Sequence, residues 1–152
     1  MTPSSTDRSA KEIGLRAPRA RVWRALTEPA EFGQWFGVRL EGTFRVGQPF
    51  EGRLTHPGYE HHTLRAWVER MEPESSFSFP WRPHAIDPEV DYSGDPSTLV
   101  EFKLEEDEGG TLLTVTESGF GGLPDGARSQ AFLRNETGWS GQMGNIKKHV
   151  DG

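Results

Sequence analysis

The sequence predicts an α+β helix-grip fold: a curved antiparallel β-sheet wrapped around a long C-terminal α-helix, with two short helices near the N-terminus. Three observations predict it. From Val38 to Ser118 apolar and polar residues alternate in short runs, turn chemistry separates those runs, and helical spacing of apolar residues occurs only on either side of this stretch. That order leaves few β–α–β crossovers, so the sheet is expected to be antiparallel with its helices on one face. At 152 residues the chain is the size of one domain. Residues 11–150 read as that domain, behind a tail over 1–10 that has no periodic apolar positions and reads as disordered.

Glu12 to Arg16 alternates well enough for a first strand, and Pro18 stands where an N1 proline opens a helix. Val22, Trp23 and Leu26 share one face of that helix until Pro29 interrupts it. Pro29 to Phe36 makes a second short helix that gathers Phe32, Trp35 and Phe36 at its end. In the sheet region Phe50, Leu54 and His56 share a strand face. His61 to Met71 is the longest strand expected, with Leu64, Ala66 and Val68 on one side and Thr63, Arg65 and Trp67 on the other. Phe77, Phe79 and Trp81 alternate in a strand ending at Pro83. The stretch from Arg82 to Ser97, about sixteen residues with three prolines, is longer than most loops and is a lid candidate. Val100, Phe102 and Leu104 then lead into a hairpin whose acidic tip, Glu105 to Glu108 before Gly109, is a solvated turn. Leu113, Val115 and Glu117 share a face of the return strand. Phe132, Asn135, Trp139, Met143, Ile146 and Val150 recur at helical spacing and mark a helix of about six turns. Gly138, Gly141 and Gly144 fall inside it, where each costs about 0.8–1.0 kcal/mol relative to alanine. Close packing against the sheet and room for a ligand are the two reasons that would account for them.

Composition removes several functions. The 17 basic residues against 23 acidic give a net charge of −6, and no run of Lys and Arg tracks a phosphate backbone, so no nucleic-acid partner is expected. No cysteine is present, which excludes disulfides, thiolate nucleophiles and cysteine-ligated metals. No run approaches the ~18–20 apolar residues of a membrane span and no secretion signal opens the chain, so a cytoplasmic protein is expected. Five histidines, His56, His61, His62, His84 and His149, invite a metal. His61 and His62 are neighbours on an expected strand and point to opposite faces, so no metal site is expected, and no cofactor is called for. His149 is read as a charge partner for the dipole at the end of the long helix.

Ala17 to Pro29 followed by Trp35-Phe36, then Thr111 to Phe120, then Gly138-Trp139 with Met143 and Ile146 resemble, in this order, the activator of heat-shock protein 90 ATPase-like family. With Phe77 to Trp81, these matches cover nearly all of residues 11–150. The resemblance implies the START-like (SRPBCC) architecture, similar to the birch pollen allergen, lipid-transfer domains and polyketide cyclases. It does not fix a function. The eukaryotic co-chaperones behind the family name carry an additional N-terminal domain for which 152 residues leave no room, so a chaperone partner or stress-response role would rest on the name alone.

The residues themselves point first to binding a small apolar or amphipathic molecule between sheet and long helix. Trp35, Phe36, Phe79, Trp81, Phe120 and Trp139 are the ring candidates for the cavity wall, with Met143 as an adaptable neighbour. For any single ring a place in the core is the plainer reading, and Trp67 has the wrong parity to be a wall. Tyr59, His62 and Glu117 would supply the few polar contacts. Glu117 follows Leu113 and Val115 on the inward face, where an apolar setting would raise its pKa and suit it to act as a general base. The plainer reading is a carboxylate bonded to backbone amides or to an arginine. Glu101, of opposite parity to Val100 and Phe102, is expected to be exposed. No acid and base stand at a spacing that makes a catalytic pair, so a cyclase- or hydrolase-like enzyme using Glu117 or a histidine is the alternative.

Overall fold

The computed structural model describes residues 8–40, 42–55, 63–81, 98–119 and 139–151. Among these residues eight strands form one antiparallel sheet: β1 (Arg8–Leu15), β2 (Val38–Arg39), β3 (Pro49–Leu54), β4 (Thr63–Trp67), β5 (Arg70–Glu72), β6 (Ser76–Trp81), β7 (Thr98–Asp107) and β8 (Gly110–Ser118). Two helices, α1 (Arg19–Thr27) and α2 (Pro29–Phe36), separate β1 from β2, and a third, α3 (139–151), closes the described chain. The strand order is β1-β8-β7-β6-β4-β3-β2, with β5 also paired to β6. The helix-grip α+β architecture expected from the sequence is the one observed.

Local chemistry accounts for most boundaries. α2 spans the residues expected, with Pro29 at its first position and Gly37 at φ 89° ending it in the left-handed region that glycine adopts without strain. Pro18 is the N-cap of α1 rather than its first helical residue, one position earlier than expected, because its ψ of 161° is extended. β1 begins at Arg8, so residues 8–10 belong to the sheet instead of the tail. Their ladder to Ser118, Glu117 and Thr116 is a long-range pairing that local composition does not reveal. The β7–β8 hairpin turns on Glu108 and Gly109, both at positive φ, between the paired Asp107 and Gly110. Positive φ at both central residues is the primed geometry that matches strand twist.

The continuous strand expected over 61–71 is interrupted. Ala66 lies opposite Trp81 but Arg70 lies opposite Ser78, so four steps along one strand are matched by three along the other. This one-residue slip is a β-bulge, and the backbone at Val68 turns aside to bond Gly47 and Gln48. β7, with 10 residues, is the longest strand instead. Parity survives the bulge, since Ala66 and Val68 are buried while Trp67 is exposed.

The core lies between the inner sheet face and the helices. Phe32, Phe77, Phe79, Phe102, Leu113 and Ile146 are fully buried, each side chain contributing roughly 1.5–3 kcal/mol. Stacking places Phe32 4.9 Å from Phe36, and Phe44 5.5 Å from Phe77. Three glycines admit close backbone approaches: a Cβ on Gly33 would meet the Val38 carbonyl, one on Gly52 the Arg39 carbonyl and one on Gly110 the Leu15 carbonyl. Gly141 and Gly144 do neither of the things expected of them, because both are exposed on α3 and an added Cβ would meet nothing within 4 Å. Among the described residues no helix is long and apolar enough to cross a membrane.

Candidate functional site

Glu117 is a fully buried carboxylate within the described core. Strand periodicity puts it there. On β8, Leu113, Val115 and Glu117 alternate inward, and the ladder sets Glu117 opposite Val100 of β7, two residues from the inward Thr98. Thr98 is in turn opposite Trp81 of β6. Three side chains therefore converge on one carboxylate: Oε2 accepts from the Trp81 indole N–H at 2.6 Å and from the Thr98 hydroxyl at 2.5 Å, and Oε1 accepts from the Trp139 indole N–H at 2.9 Å. Burying a carboxylate is costly unless hydrogen bonds replace its water, and these three do so. Among the described residues the donors are two indoles and a hydroxyl. Thr98 was not singled out from sequence, although its parity with Val100 and Phe102 was a signal that it points inward.

The two indoles held by Glu117 belong to a larger ring cluster. Trp81 and Trp139 lie 5.9 Å apart, Phe36 is 6.1 Å from each, and Phe102 stands edge-on to Trp139 at 5.7 Å. Trp139 is buried, whereas Phe36 and Trp81 are only half-buried. Gln142 of α3 donates to the Phe36 carbonyl at 2.9 Å and fixes the end of α2 against α3. Of the other expected wall residues, Trp35, Phe79 and Met143 are buried in the core. Trp35 donates its indole N–H to the Ala25 carbonyl at 2.8 Å, and Phe79 packs against Phe32, Phe50 and Phe102. Tyr59, His62 and Phe120, the lid candidate over 82–97, and the first turns of the long helix expected from Phe132 lie outside the described residues.

The far end of α3 is fastened by charge. Asp151 accepts from the backbone N–H groups of Arg16 and Ala17 at 3.0 and 3.1 Å and from Lys147 at 3.1 Å. Burial pushes the Asp151 carboxyl up, but these bonds outweigh it and hold the group below its usual range. His149 bonds Glu31 of α2 at 2.9 Å, a cross-helix contact beside its expected place near the end of α3, and Arg21 of α1 reaches the same oxygen at 2.6 Å. Burial raises the Glu31 carboxyl, while the His149 and Arg21 hydrogen bonds and charges lower it, and the net shift is downward. Glu101 is half-buried at 27% side-chain exposure and lies 3.7 Å from Lys103, so the exposure expected of it is only partial. No group of three or more potential metal ligands occurs among the described residues; His56, His61, His62 and His84 lie outside them.

Solved structures with this fold are numerous. Protein MLL2253 from Mesorhizobium loti superposes with a TM-score of 0.75 at 24% identity, covering 95% of this chain and 96% of that one. The Aha1 dimer from Colwellia psychrerythraea gives 0.71 at 18% identity, with 94% and 95% covered. CalU16 from Micromonospora echinospora gives 0.65 at 22%, with 93% and 74% covered. At these identities the likeness is one of fold. Comparison with curated proteins finds no match. The family model described as "Activator of Hsp90 ATPase homolog 1-like protein" matches residues 16–151, nearly the whole chain, in agreement with the START-like fold. The chain belongs to the activator of Hsp90 ATPase homolog 1-like family.

Proposed function

We propose that the protein binds a small apolar or amphipathic molecule against the edge formed by Phe36 and Trp81, where sheet, α2 and α3 meet. The carrying observation is that the aromatic cluster is locked at its back and unburied at its rim. Glu117 fixes the Trp81 and Trp139 indoles by hydrogen bonds of 2.6 and 2.9 Å, while Phe36 and Trp81 keep part of their surface uncovered. Rings held in one orientation lose little entropy when a ligand arrives, which is how a preorganised wall gains affinity. Catalysis by Glu117 is the weaker reading. Both of its oxygens already accept hydrogen bonds and the residue is fully buried, so a substrate proton would have to displace one of them.

The test is a titration of the folded protein with 1-anilinonaphthalene-8-sulfonate, read by tryptophan quenching and by the probe's own fluorescence. Saturable one-to-one binding, accompanied by a rise in Tm, is expected. Phe36→Ala should weaken it about tenfold with the fold intact by circular dichroism. Absence of saturable binding, or an affinity indifferent to both Phe36→Ala and Trp81→Phe, would remove the proposal.

A further inference from the structure

A groove of about 460 Å³ lies between the end of α2 and the last turns of α3, lined by Gln34, Phe36, Thr55, Asn145, Lys148 and His149 among others. In a chain with 23 acidic residues against 17 basic, no Asp or Glu is among the described residues that line it. Its polar groups are an ammonium, two carboxamides, a hydroxyl and an imidazole, and half-buried Phe36, backed by the buried Trp35, adds aromatic surface. Lys148 is exposed and makes no ion pair among the described residues. Asn145 donates one amide hydrogen to Gln142 Oε1 at 3.1 Å, and a carboxamide has a second to offer. Glu31, the carboxylate that touches His149, is already shared with Arg21 at 2.6 Å, so it adds little uncompensated negative charge.

We propose that this groove is a second binding site, for a small monocarboxylate with an aromatic or short aliphatic body. One lysine with neutral donors matches a single carboxylate, and the rings match an apolar body. The groove lies at the C-terminal ends of both α2 and α3, where the partial charge is negative and opposes any anion, so a dianionic phosphate, with no arginine fork among the described lining residues, fits less well than a single carboxylate held by Lys148. The volume is within the range of small-molecule sites, roughly 300–1,000 Å³. The site is distinct from the Phe36–Trp81 edge and does not depend on it, although Phe36 borders both. A lysine in the last turn of a helix also complements that helix's dipole; that role alone predicts no ligand selectivity.

The experiment is an NMR titration of the full chain with 2-naphthoate, with 2-naphthamide and inorganic phosphate as comparisons. The side-chain amide signals of Gln34 and Asn145 should move with 2-naphthoate, the neutral amide should bind at least tenfold more weakly, and Lys148→Gln should weaken naphthoate about tenfold while keeping the fold intact by circular dichroism and lowering Tm only slightly through the lost dipole partner. Four results would each overturn the assignment: no saturable shift at Gln34 and Asn145, equal affinity for acid and amide, an unchanged affinity in Lys148→Gln, or displacement of naphthoate by equimolar phosphate. Shifts confined to the Trp81 and Trp139 indoles would place the probe at the first site and overturn this one as well.

Discussion

The indole N–H of Trp139 donates to the Glu117 carboxylate at 2.9 Å, so the first described turn of α3 is fastened to β8 through a fully buried charge-bearing side chain. Twelve residues further on, Asp151 fastens the same helix to the β1–α1 connection. The described span of the helix is held at both ends by carboxylates of opposite origin, one from the sheet and one from the helix itself.

Glu117→Gln therefore acts on stability before it acts on any function. Its new NH₂ group would face an indole N–H or the Thr98 hydroxyl, leaving at least one buried donor without an acceptor, and a loss of about 2–4 kcal/mol is expected by urea denaturation. Trp139→Phe keeps a ring but removes one donor and should cost less, about 1–2 kcal/mol. If the two act through their shared bond, the double variant will show a coupling of about 0.5–3 kcal/mol; strict additivity would mean that the bond contributes nothing.

Acid should loosen α3 through Asp151 and Glu31. Both carboxyls are held below their ordinary values of 3.8 and 4.5, so the unfolded chain binds more protons than the folded one as pH falls through this region. The stabilisation is fully present above those ordinary values and is lost as pH falls through the lowered folded ones. Asp151→Asn and Glu31→Gln should each flatten the decline of Tm below about pH 4.5, measured at constant ionic strength.

Gly141→Ala and Gly144→Ala should stabilise the protein. Both positions are helical, exposed and open around the missing Cβ, so each change should gain roughly 0.5–1 kcal/mol in denaturant midpoint at constant m-value. A loss at either position would show that the outer face of α3 is covered by something in solution.

Gly33→Ala should do the reverse. Its Cβ would overlap the Val38 carbonyl where α2 turns into β2, and relief requires moving the end of the helix that carries Trp35 and Phe36. A cost of about 1–3 kcal/mol is expected, together with a shifted tryptophan emission spectrum.

Alternation and helical spacing were enough to read the antiparallel sheet, both short helices, the inward parity of Leu113, Val115 and Glu117, and the buried faces of α1 and α3. These are local properties, set by side-chain direction on a strand or helix, and local sequence carries them. The bulge between Ala66 and Arg70 and the pairing of Arg8 to Leu15 with β8 were not legible, because each depends on which strand arrives alongside, whereas the outward placement of Gly141 and Gly144 follows from the helical spacing that turns Trp139, Met143 and Ile146 inward. The same division runs through the site. Its inward glutamate could be found by counting residues along β8, but its partners come from β6, β7 and α3, between 19 and 36 residues away in the chain. Only the folded sheet, with α3 laid across it, decides that two indoles and a hydroxyl meet that carboxylate, since hydrogen bonds between distant segments are set by register and packing and not by spacing in the sequence.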